Sequence, residues 1–160
     1  MAREKEATTR RSGSTSVEWT RSPKSVLAVR WIALLGLCSA YLQGGLVKAL
    51  DFSGAVAEMA HAGLAPAAPL AAATIVLELA APLAILTGRF RWLGALALAA
   101  FTLMATFLVN RFWEMAPPNR MPTANAFFEH LGLLGGFLLV AWHDIADKRA
   151  RRVMRHANTG

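Results

Sequence analysis

Cysteine is almost missing from these 160 residues; Cys38 is the only one. A lone thiol closes no intrachain disulfide and leaves no partner for a cysteine-based metal centre. It also supplies no Cys-x-x-Cys pair for thiol–disulfide exchange. Acid is scarce too, with 10 Asp and Glu against 17 Lys and Arg and a formal net charge of +7. No glycine-rich phosphate loop, nucleophile elbow or pair of catalytic carboxylates is present, so no complete catalytic set is visible. No repeat relates the two halves of the chain, which disfavours a transporter built from duplicated halves. Charge of either sign is nearly absent from four stretches of roughly 16–22 residues, close to the ~20 apolar residues that cross a bilayer.

Apolar residues make up 55% of the chain, above the roughly 45–50% of a soluble domain. This excess excludes a disordered chain, a disulfide scaffold, a multidomain enzyme and an ordinary soluble globule. The expected fold is all-α, a transmembrane antiparallel four-helix bundle. Its spans are expected at about 26–47, 70–86, 92–109 and 127–142, the fourth being the shortest. Pro66 and Pro69 announce the second span and Gly88 closes it. Residues 1–25, rich in Ser, Thr and Arg, read as a disordered basic cytoplasmic tail. Residues 143–160 read as a second basic tail. The Cys38-Ser39-Ala40 segment faintly resembles a cleavage site. The apolar run continues about seven residues past it, and Leu37 is too large for a lipoprotein site, so the first span reads as a retained helix.

The positions of the cations exclude nucleic acid as the partner and favour the lipid bilayer. With both termini inside, 14 of the 17 basic residues fall on the cytoplasmic side, leaving Lys48, Arg111 and Arg120 outside. This bias predicts a multi-pass protein of the inner (plasma) membrane with both termini cytoplasmic. Trp31, Trp92 and Trp142 then lie near the inner interface and Trp113 near the outer one. In the first outer connection, Ser53 is expected to cap a short interfacial helix through about His61, ended by Gly63. Phe52, Val56 and Met59 recur on it at helical spacing. The loop Asn110–Thr123, with Pro117, Pro118 and Pro122, is expected to be irregular and to lie as a lid across the outer helix ends.

Several segments carry a family resemblance. Gly44-Gly45-Leu46-Val47-Lys48-Ala49-Leu50-Asp51-Phe52-Ser53-Gly54, followed by Met59-Ala60-His61-Ala62-Gly63-Leu64, resembles the end of the first span and first outer loop of the DoxX family. Arg30 entering the first span, Glu78 inside Leu77-Glu78-Leu79, and Gly132-Leu133-Leu134-Gly135-Gly136 agree with it. The resemblance covers about residues 25–142. It implies a four-helix membrane protein and an accessory role in a redox or oxidative-stress system, one that holds a quinone or docks a redox-protein partner. The chain departs from the family at the start of the last helix, where Glu129-His130 replaces a common Lys-Asn pair.

Glu78 lies near the bilayer centre, where a charge costs several kcal/mol unless paired or neutralised. Pro82, four residues on, removes the helical partner of the Glu78 carbonyl. Thr74, Glu78 and Pro82 share one face, and Thr102, Thr106 and Asn110 share another on the third span. With Gln43 and with Glu129 and His130 at the same level, they outline a polar cleft in the outer half, sized for a quinone head group or a small polar solute. Glu78 is open to two readings, a structural acid or the centre of a solute or proton pathway. Arg30 either snorkels to the headgroups or pairs with Glu78. His61 and His130 lie on one side, but no CxxCH motif or second ligand at fixed spacing supports haem or another metal there. Cys38 reads as a buried inert thiol. The small-residue rows Gly36/Ala40/Gly44 and Gly132/Gly136 read as helix packing or as a homo-oligomer seam. A purely structural assembly factor stands as a further alternative.

Overall fold

The computed structural model describes residues 23–157. The predicted disordered tail lies outside these residues up to position 22, as does the C-terminal end from 158. The described residues are all-helical, with no strand: α1 Pro23–Leu50, α2 Phe52–His61, α3 Ala67–Thr87, α4 Arg91–Val109 and α5 Arg120–Ala157. A single 3₁₀ turn, Phe112–Glu114, stands between α4 and α5. Helices α1, α3, α4 and α5 are long and apolar enough to cross a membrane. The chain divides into two compact units within α1, at Leu35/Gly36. In the smaller unit, Val26, Leu27, Val29 and Ile32 are exposed apolar residues of one helical segment.

In the larger unit, the remainder of α1 joins α3, α4 and α5 in a helical bundle whose fully buried side chains include Cys38, Ile85, Leu98, Thr102, Thr106 and Phe137. Two glycines let the helices close up. A Cβ at Gly94 would stand 2.6 Å from the Ala81 carbonyl oxygen, so α4 lies against the backbone of α3. A Cβ at Gly45 would stand 3.0 Å from both Glu78 Cβ and Leu79 Cδ2, which brings α1 against α3. The rows singled out in the sequence do this unevenly: Gly136 faces Leu37 and Gly44 faces Glu78, while Gly36 and Gly132 have nothing within 4 Å.

The helix ends follow local chemistry, with three departures from expectation. Asp51, not Ser53, caps α2: its Oδ1 accepts the Gly54 amide at 2.9 Å, and Ser53 Oγ donates to the same oxygen. A carboxylate beside an amide is the stronger acceptor, and it leaves Ser53 to support the cap. At the other end, Gly63 takes φ +73, and the Gly63 and Leu64 amides donate to the Ala60 and Met59 carbonyls. This left-handed close turns the chain back so that Leu64 joins Ala55, Met59 and Ala71 between α2 and α3.

The second departure is the start of α5 at Arg120 rather than near 127. Pro122 falls in the first turn, where a helix needs no donor, so the proline ends no helix there. The third is at its far end. Helix α5 does not stop at Trp142 but continues to Ala157, making it, at 38 residues, the longest helix among the described residues. Ala146, Lys148, Arg149, Ala150, Arg151, Arg152 and Met154 are strong helix formers, no Gly or Pro interrupts them, and the terminal cations suit the helix dipole. Charge there marks the end of the apolar span and not the end of the helix.

Candidate functional site

Helix α3 carries Glu78 into the bundle with only 5% of its surface exposed. Its partner is Lys48, the last cation of α1, whose Nζ stands 3.1 Å from both carboxylate oxygens. The sequence reading offered Arg30 for this place; the structure puts Lys48 there instead. Hydropathy alone placed Lys48 at a helix end facing water. Yet a lysine stem can run along apolar surface while its ammonium reaches elsewhere. Gly44, one turn before Lys48, leaves the room: a Cβ there would lie 3.5 Å from Glu78 Oε2 and 3.6 Å from Lys48 Nζ.

Helix α4 contributes a ladder of hydroxyls. Thr102 Oγ1 donates to the Leu98 carbonyl and Thr106 Oγ1 to the Thr102 carbonyl, each at 2.6 Å. A hydroxyl has one proton, so toward other groups both threonines present lone pairs. Tyr41 of α1 therefore donates its phenol proton to Thr102 Oγ1. Its ring is held edge-on by Phe137 at 5.3 Å and Phe101 at 6.4 Å. His130 Nδ1 stands 3.0 Å from Thr106 Oγ1. The Asn110 amide lies 3.1 Å from the same nitrogen. His130 Nε2 makes no hydrogen bond within the described residues.

These groups line one cavity of about 650 Å³ in the larger unit. Of the residues expected in the cleft, Thr74, Glu78, Thr102, Asn110 and His130 line it, and Thr106 lies fully buried behind His130. Gln43 is exposed and Glu129 is exposed; neither takes part. Tyr41 and Lys48 were not foreseen at the site, nor were Glu58, His61, Arg111 and Glu114 around its rim. The spacing Tyr41, Gly44, Lys48, one stripe at three and four residues, was the available signal.

The rim is built by α2 and by the segment after α4. Of the loop Asn110–Thr123, expected to be an irregular lid, the part before α5 carries the 3₁₀ turn and the part from Arg120 is helical. Phe112 and Trp113 pack edge-on against Phe127 of α5, at 5.5 and 5.9 Å, and Phe107 meets the same ring at 5.7 Å. That aromatic cluster holds Arg111 and Glu114, joined at 3.2 Å, beside the cavity. Away from the rim, the cavity ends at Tyr41 and Thr102. Further from the rim, Cys38 of α1, Leu98 of α4, Phe137 of α5 and Ile85 of α3 are each fully buried.

The opposite end of the bundle is fixed by a residue that no motif flagged. Asp144 of α5, 7% exposed, accepts the Trp92 amide of α4 at 3.2 Å and binds Lys148 Nζ at 2.7 Å. It serves as an N-terminal cap supplied from a neighbouring helix. Nearby, Arg91 Nε donates to the Ile85 carbonyl at 2.9 Å, satisfying one of the last acceptors of α3.

Four long apolar helices and a single polar chamber wall of charged pairs define a multi-pass helical membrane protein. The chain belongs to the DoxX family, whose sequence profile matches residues 27–111, just over half its length. The match spans most of α1, all of α2, α3 and α4, and ends before α5. No curated protein and no solved structure matches the chain.

Proposed function

We propose that this protein is an accessory membrane subunit of a redox or oxidative-stress system and that its chamber holds a quinone. The observation that carries this reading is the pairing of charge inside an amphiphilic cavity. The two cations of its wall, Lys48 and Arg111, each already bind an acid, Glu78 and Glu114. The site therefore has no cation to spare for an anionic ligand. Its sides offer Phe101, Met104, Leu108 and Leu133 to a ring and the start of a chain. His130 supplies the specific polar contact through Nε2, which accepts from a hydroquinone hydroxyl in one tautomer and donates to a quinone carbonyl in the other. Quinone bound at this depth lies within reach of a soluble redox partner at the rim.

In this reading the membrane is the inner (plasma) membrane, both termini are cytoplasmic and the chamber opens on the far side. The positive-inside bias of the flanking cations supports that orientation. A solute or proton pathway centred on Glu78 is the second reading, favoured by a buried acid in a cavity wall. It requires the layer of Cys38, Ile85, Leu98 and Phe137 to part, because that layer separates Glu78 from the other end of the bundle.

The test is extraction of the full-length chain in mild detergent and mass-spectrometric measurement of bound quinone. The wild type is expected to retain quinone, and His130→Ala to lose most of it at unchanged thermal stability. Wild-type protein that carries none, and whose tryptophan fluorescence is not quenched by added quinone, overturns the proposal.

A further inference from the structure

The C-terminal overhang of α5 is a separate surface that contributes no residue to the chamber. Asp144 is level with the start of α4, where the bundle ends, so the 13 residues to Ala157 extend beyond it by about 20 Å at 1.5 Å per residue. A 38-residue helix is about 57 Å long, far more than the ~30 Å of hydrocarbon in a bilayer. Lys148, Arg149, Arg151, Arg152, Arg155 and His156 all fall within an arc of roughly 160° on this overhang at 100° per residue. Arg149, Arg151 and Arg152 are exposed, and no ion pair is found for them among the described residues. The adjoining α3–α4 turn adds exposed Arg89.

Helix direction decides what these cations reach. Every Cα–Cβ bond slants toward the helix N-terminus, and α5 leaves the bundle C-terminally, so side chains on the overhang slope back toward the membrane. Arg149, Arg151 and Arg152 lie one to two turns past Asp144, within an arginine's length of the headgroup layer. We propose that this face of α5 binds the phosphate groups of anionic phospholipids in the surrounding leaflet. The lipid is the committed partner because the helix is rooted in that leaflet. The guanidinium fork also matches a phosphate in two parallel bonds.

The experiment uses the full-length protein in micelles with equal amounts of phosphatidylglycerol and phosphatidylcholine, read by native mass spectrometry of the retained lipid. Each cation within reach of an anionic surface is worth about fivefold, so wild type should retain phosphatidylglycerol over phosphatidylcholine by roughly tenfold or more. Arg149→Gln, Arg151→Gln and Arg152→Gln together should bring the ratio near one, and the matching Lys variants should keep most of it. All three positions are exposed, so thermal stability should be unchanged and a folding defect would be visible as such. Millimolar inorganic phosphate should not displace the lipid. Equal retention of both lipids by wild type, an unchanged ratio in the Gln variant, or displacement by free phosphate overturns the proposal. The first outcome would leave this face to an acidic protein, and the last would make free phosphate its ligand.

Discussion

Lys48 and Glu78 are worth most as a pair. Two charges taken largely out of water roughly balance desolvation against attraction, but removing one strands the other, at about 3 kcal/mol or more. Glu78→Gln should therefore lower the stability of detergent-solubilised protein by about 3 kcal/mol. The double change Lys48→Met with Glu78→Leu should return close to wild type, a coupling that thermal or denaturant unfolding measures directly. Equal, additive losses would show that the pair does not interact. Asp51 behaves differently because it is fully exposed. Accepting the Gly54 amide, and then the Ser53 hydroxyl, holds its carboxyl below the ordinary range. The sign follows: the cap is fully effective above the unfolded-state value and is lost as pH falls through the lower, folded value. The Gly54 amide resonance should titrate with that lowered midpoint, and Asp51→Asn should abolish the titration while keeping α2 helical. Glu78 was readable from sequence as a costly intramembrane acid. Its partner was not, because the reach of a flexible lysine stem depends on where another helix lies.

Among the elements, contact between α3 and α4 rests on a missing side chain. Gly94→Ala places a methyl against the Ala81 carbonyl, a backbone atom that cannot rotate away. Overpacking of this kind destabilises by about 1–3 kcal/mol. Gly132→Ala, whose new methyl meets nothing within 4 Å, is the control and should be neutral. A thermal scan of both variants separates them, and equal midpoints would refute the close approach. The two glycines look alike in sequence, and the row containing Gly132 stood out more. Apolar runs gave the count of four helices long and apolar enough to cross a membrane, because that signal is local. Helix α5 runs past both limits of the expected span 127–142, because the limits of an apolar run are not the ends of a helix. Pro122 in a first turn breaks nothing, and arginine is a good helix former.

For the whole molecule, the full burial of Cys38, Ile85, Leu98 and Phe137 carries the expectation about transport. Wild-type protein in proteoliposomes should add no proton flux beyond that of protein-free vesicles across a pH gradient. Flux that Glu78→Gln abolishes would establish the pathway reading instead. Phe137→Ala, which empties the largest fully buried position, should cost about 3–5 kcal/mol of stability. A leak appearing only in that variant would identify the layer as the seal.

What the sequence determined by itself was the class and the count: four helices long and apolar enough to cross a membrane. Those properties come from composition and run length, which no packing can alter. Tertiary structure decided the partners. It chose Lys48 over Arg30 for Glu78, gave Tyr41 to Thr102, brought His130 to the α4 threonine ladder, and set Asp144 over the first turn of α4. Each of these joins residues on different helices. Their meeting depends on how closely two backbones approach and how each helix is rotated, quantities that spacing along one helix does not contain.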